Sequence, residues 1–307
     1  MAYFKSSGFF CLFFVFIFWF LSITCTMFIT NSQISTIAIY LCLAVISIVY
    51  LVLCGSNIRQ RLRLHKVNLL SLFLILILSA AIRPLTGFVS LLSNMFFRDM
   101  VSSSVTSELS YGLGIVLIST ALLPGIVEEL IFRGIIYSGM RKADPIKGIL
   151  LSSLFFGLAH MNFQQFCYAF VLGIILGVLL EATDSLYSTM LLHGVFNGTS
   201  LVLTYMMTRI PSLSGMTSEE TVQVSMSSTL GTLAAFLPFA VASLIISVLL
   251  IMAIAHLNGR FGYLKTWFSP RIRRTWPKEK AASASYFVAV GICVFFAAAT
   301  ELLMYFA

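Results

Sequence analysis

Charge is what this chain has least of. Only 10% of its 307 residues are charged, with eleven acids set against nineteen Lys and Arg, where a soluble domain carries roughly 25%. That is too little to solvate a globular surface. With 59% apolar residues and a mean hydropathy of +1.00, the composition excludes a soluble enzyme and leaves no stretch suited to a separate soluble domain. Cysteine spacing excludes more: Cys11, Cys25, Cys42, Cys54, Cys167 and Cys293 form no C-x-x-C pair, so they read as structural bystanders rather than a redox or metal site. Neither G-x-S-x-G nor H-E-x-x-H occurs, and there is no internal repeat or low-complexity linker.

What is present is a succession of long apolar runs. A spanning helix needs about 20 apolar residues, and hydropathy places spans near 8–30, 34–54, 67–91, 110–140, 146–161, 164–181, 185–207, 230–256 and 284–306. The expected fold is therefore all-α, a polytopic membrane protein of about nine transmembrane helices. The first run follows Lys5, exceeds the h-region of a signal peptide and lacks an A-x-A-like site, so it reads as a retained helix. Arg83-Pro84 is expected to end the third span early, leaving "LTGFVSLLSNMFF" as an interfacial helix, and the fifth span is short.

The basic residues give an orientation. "GSNIRQRLRLHK", "RKADPIK" and residues 257–281 hold most of the Lys and Arg, and nine spans put all three loops on the side of Lys5. By the positive-inside rule the N-terminus is cytoplasmic. These loops are expected to serve topology and anionic headgroups, with no nucleic-acid partner, because no folded domain presents them.

Three segments keep polar groups at depth: "EELIFR", "FFGLAH" and "LLHGVFN". Each repeats a four-residue spacing, Glu129 with Arg133, Phe156 with His160, and His193 with Asn197, so each pair shares a helix face. Glu128 lies about 100° from Glu129 and is left without that cation. Counted at about 1.5 Å per residue, Glu128 lies roughly 18 Å, His160 roughly 21 Å and His193 roughly 12 Å from the predicted cytoplasmic ends, depths that allow a common site. His65 and His256 fall in a basic loop and at a span end, outside it.

Intramembrane ionisable groups are functional candidates by default. Glu128 and His160 together suit activation of water, and His193 with Asn197 suits hydrogen bonding to an oxyanion, which is the equipment of amide hydrolysis. The order E-E-x-x-x-R, F-x-x-x-H, H-x-x-x-N resembles the CPBP family of intramembrane proteases, also called the CAAX prenyl protease or Abi family. The resemblance covers residues 110–207 as a catalytic core, between N-terminal helices in 1–109 and C-terminal helices with a basic loop in 208–307. It implies that Glu128 and His160 activate water, that His193 and Asn197 stabilise the oxyanion, and that Glu129, Arg133 and Phe156 support them. The implied partners are the bilayer and a membrane-associated peptide or protein; the dense phenylalanine content and the lack of an organellar signal point to a bacterial cell membrane. No cofactor is expected; the alternative is zinc on Glu128, His160 and His193. The rival functions are a non-catalytic immunity or scaffold protein on this fold, and a proton-coupled transporter.

Overall fold

The computed structural model describes residues 3–55, 57–99, 101–209, 226–277 and 280–306; Lys278 and Glu279, counted in the last basic loop, lie outside them. Among the described residues every regular element is helical. The principal ones are α1 (Tyr3–Phe28), α2 (Ser32–Leu53), α3 (Leu69–Ala81), α4 (Arg83–Ser93), α5 (Leu113–Met140), α6 (Pro145–Leu158), α7 (Phe163–Thr183), α8 (Leu186–Arg209), α9 (Met226–Leu257) and α10 (Ala284–Phe306). The starts of several are written in the sequence. The side chains of Asn31, Asn68, Asp144 and Asn162 accept from free backbone N–H groups in the first turns of α2, α3, α6 and α7, as N-caps do.

Among the described residues seven segments are long and apolar enough to cross a membrane, against nine expected. The other two are helical but fall short for different reasons. At 14 residues α6 is about 21 Å long, less than a hydrocarbon core of about 30 Å. Although α8 has 24 residues, its polar side chains dilute its apolarity. The third span also differs from expectation, since Leu69–Ser93 runs on through Pro84. Pro84 occupies the first turn of α4, where its missing N–H costs nothing, and α4 packs against α7 and α9 instead of lying at an interface.

The bundle has a centre and a rim. More than half the residues of α5 and α7 are buried, and a third or fewer in the other apolar spans; α1, α2, α9 and α10 carry the exposed Phe, Leu, Ile and Val of a lipid-facing belt. Close approach at the centre depends on glycine. A Cβ on Gly157 would stand 3.0 Å from the Phe166 carbonyl oxygen, and one on Gly173 would stand 3.1 Å from Ser153 Cα, so α6 can fold back directly on α7.

The basic loops do more than set topology. Glu181, buried at the end of α7, accepts from Arg63 Nη2 at 2.7 Å, Arg141 Nη2 at 3.1 Å and the Tyr137 hydroxyl at 2.7 Å. Arg260 Nη2 lies 3.5 Å from Oε2, the oxygen that Arg141 Nη2 also reaches. Asp184, in the left-handed conformation (φ 52), faces Arg63 Nε at 3.5 Å and His65 at 3.2 Å. The expectation that these arginines face headgroups is corrected for three of them: one buried carboxylate draws all three loops to one end of the bundle. Burial disfavours the charge on Arg141, but Glu181 holds that guanidinium protonated above its ordinary range.

Candidate functional site

The site is built on α5, which is not a uniform α-helix. Ile118–Leu122 and Glu129–Tyr137 take the wider π form on either side of Pro124. Such turns accommodate a proline and change which side chains share a face. The second begins at Glu129, whose buried carboxylate accepts from Arg133 Nη1 at 2.9 Å. The Arg133 guanidinium also donates to the Gly173 carbonyl at 3.2 Å and lies 4.5 Å above the Phe156 ring. Glu129 and Arg133 thus form a buried pair, joined through Glu129 Oε1, seated on an aromatic face and tied to α7.

His193 joins this pair from α8. Its Nδ1 is 2.9 Å from Glu129 Oε1, and because the arginine-paired carboxylate acts as acceptor, Nδ1 carries the hydrogen and Nε2 is the free nitrogen. That nitrogen faces Glu128, 3.8 Å from Oε2. The approach of α8 to α5 is permitted by Gly125, where a Cβ would stand 2.9 Å from both Gly194 Cα and Gly194 N. Phe156 completes the frame, with the rings of His160 and His193 edge-on to it at 5.2 and 5.7 Å.

Glu128 points elsewhere. It lines a cavity of about 1620 Å³ together with His160, Asn197 and Tyr40. The Tyr40 hydroxyl donates to Glu128 Oε1 at 2.6 Å, so one carboxylate oxygen is held and the other is turned toward His193. His160 Nδ1 is 2.9 Å from the Phe156 carbonyl. A carbonyl only accepts, so Nδ1 bears the hydrogen and Nε2 is the acceptor. Asn197 donates to the Thr120 carbonyl at 3.3 Å, leaving its second N–H for other use. Outside the spans, burial pushes the carboxyl of Glu108, another lining residue, above its ordinary value, with the Gln33 side chain opposing.

Four residues singled out by sequence therefore divide by position: Glu128, His160 and Asn197 border the cavity, while His193 is set behind Glu128. Glu129, Arg133 and Phe156 are buried beneath them. Residues 110–199 match the family model of type II CAAX prenyl endopeptidases, Rce1-like. The match contains all seven residues and agrees with the resemblance drawn from the three motifs. No curated protein and no solved structure matches the chain.

The CAAX endopeptidase match stops short of two cavity residues that sequence reasoning did not find, Tyr40 on α2 and Arg83 on α4. Tyr40 carried no sequence signal beyond being a tyrosine within a span. Arg83 had one, an intramembrane cation, which was absorbed into the expected break at Pro84. Among the described residues no three His, Cys, Asp or Glu are grouped to hold a metal ion; His160 and His193 each have Nδ1 in a hydrogen bond, which leaves Nε2 as the available nitrogen of both rings.

Proposed function

We propose that this multi-pass membrane protein is an intramembrane endopeptidase that hydrolyses a peptide bond of a membrane-associated substrate. The observation that carries this reading is the separation of the two glutamates: Glu129 is buried and paired with Arg133 and His193, and Glu128 lines the cavity that His160 also lines. Glu128 takes a proton from water as the oxygen attacks the carbonyl, and later returns it to the leaving amine. His160 Nε2, the ring nitrogen left as acceptor, accepts from the same water and orients it. The second N–H of Asn197 donates to the oxyanion, and His193, fixed by Glu129 through Nδ1, supports the same wall from behind Glu128. Tyr40 holds Glu128 in line.

The reading assigns no role to a metal, and chelator treatment of the purified protein tests this: activity persists if it is right and is lost if zinc is essential. It also places the N-terminus on the cytoplasmic side of a bacterial cell membrane, where the three clasped basic loops then lie. The function itself is tested by comparing membrane peptide profiles from cells carrying the unsubstituted protein, Glu128→Ala or His160→Ala. A processed peptide lost from both variants at equal protein level supports it, and identical profiles point to the scaffold reading.

A further inference from the structure

The cavity holds a fixed cation with no counter-ion. Arg83, in the first turn of α4, lines it and is the one Lys or Arg to do so among the described residues. Its guanidinium is gripped by α8: Nη2 donates to the Phe196 carbonyl at 2.8 Å and to Thr199 Oγ1, Nη1 donates to Ser200 Oγ at 3.0 Å, and the Phe196 ring lies beneath at 5.0 Å. Every one of these partners is neutral. Among the described residues no carboxylate lies within ion-pair distance of Arg83, although Asp99, Glu108 and Glu128 border the same space. An intramembrane charge is normally neutralised or functional, and this one is aimed but not neutralised. Three of its five N–H groups are used, leaving two to receive an anion.

We propose that Arg83 is an anion-binding residue of the cavity, and that it holds a carboxylate of the peptide bound there. For what enters the cavity, this rests on the proteolytic reading. Position favours a peptide carboxylate over a headgroup phosphate. Phe196, Asn197 and Ser200 share the cavity wall, and Ser200 is about 4.5 Å along α8 from Asn197. In an extended chain advancing about 3.3 Å per residue, the held carboxylate is then within a few residues of the bond attacked.

The same wall has a second unfilled polar group. Ser90, two turns along α4 from Arg83, receives Gln164 Nε2 at 3.0 Å, and Gln164 Oε1, on a residue only 2% exposed, has no partner. It is a further acceptor on a residue of the cavity wall, about 10 Å along α4 from the cation.

Binding to the Glu128→Gln protein in nanodiscs tests this without any chemistry. The probes are a fluorescein-labelled apolar octapeptide as its C-terminal acid, as its amide, and as the amide with a Glu near the end. Charge-assisted hydrogen bonds of ordinary strength make a carboxylate-bearing probe bind about tenfold tighter than the plain amide. Preference for the acid alone names the chain end as the source, and preference for the Glu-containing amide names a side chain. Adding Arg83→Gln removes the preference and leaves amide binding within about twofold, while Arg83→Lys keeps part of it. Equal binding of acid, Glu-containing amide and plain amide in the protein with native Arg83, or binding of none, overturns the proposal, and this comparison needs no Arg83 variant to fold. A carboxylate preference without cleavage by the unsubstituted protein would sink the proteolytic reading and spare the anion site; cleavage without the preference does the reverse.

Discussion

The Tyr40 hydroxyl donates to Glu128 Oε1 at 2.6 Å across a sequence separation of 88 residues, joining a helix outside the family match to the carboxylate that borders the cavity. Removing the hydroxyl frees Glu128 to rotate without opening a void. Tyr40→Phe should slow peptide processing about tenfold, the loss of one hydrogen bond to a charged group, and leave the melting temperature nearly unchanged. Processing rate and thermal unfolding measured on one preparation check both. An equal loss in the two would make Tyr40 a packing residue.

The contact of α5 with α8 gives an asymmetric expectation. A Cβ on Gly125 would press into the Gly194 backbone at 2.9 Å, whereas one on Gly194 meets its nearest neighbour, the Ala121 carbonyl oxygen, at 3.7 Å. Gly125→Ala should therefore force α8 away, costing about 1 to 3 kcal/mol as overpacking does, and should reduce processing by moving His193 from Glu128. Gly194→Ala should be tolerated. Unfolding and processing of the two variants side by side decide it.

Glu181 is expected to be a stability residue with no part in the chemistry. Neutralising it leaves Arg63, Arg141 and Arg260 converging on one another without their shared buried carboxylate. Glu181→Gln should cost about 3 to 5 kcal/mol, the range for breaking a buried pair, and should loosen the basic loops. Limited proteolysis at those loops, compared with the unsubstituted protein, should show new cleavage there.

Local signals made most of the fold readable. Each apolar run became a helix, because hydrocarbon leaves a single chain segment no other way to satisfy its backbone. The i,i+4 spacing of Glu129 and Arg133 was enough to pair them, since both partners lie on one helix. What could not be read depends on distant partners. Nothing near Glu181 names Arg63, 118 residues away, and a tyrosine within a span reads as an interfacial anchor until the helix facing it is known. The π turns of α5 were hidden too, because hydropathy does not separate them from α-helix. His193 shows the limit inside a motif: its spacing to Asn197 put both on one face, but the carboxylate that claims its Nδ1 comes from another helix.

The division of labour between the adjacent glutamates is tested most directly by Glu128→Gln and Glu129→Gln, each assayed for thermal unfolding and for peptide processing in the same membranes. Glu129→Gln should lower stability by about 3 to 5 kcal/mol, because it strands Arg133 in the bundle. Glu128→Gln should unfold as the unsubstituted protein does and process nothing. If both variants lose stability alike, or if Glu128→Gln still processes peptide, Glu128 is not the residue that acts on water.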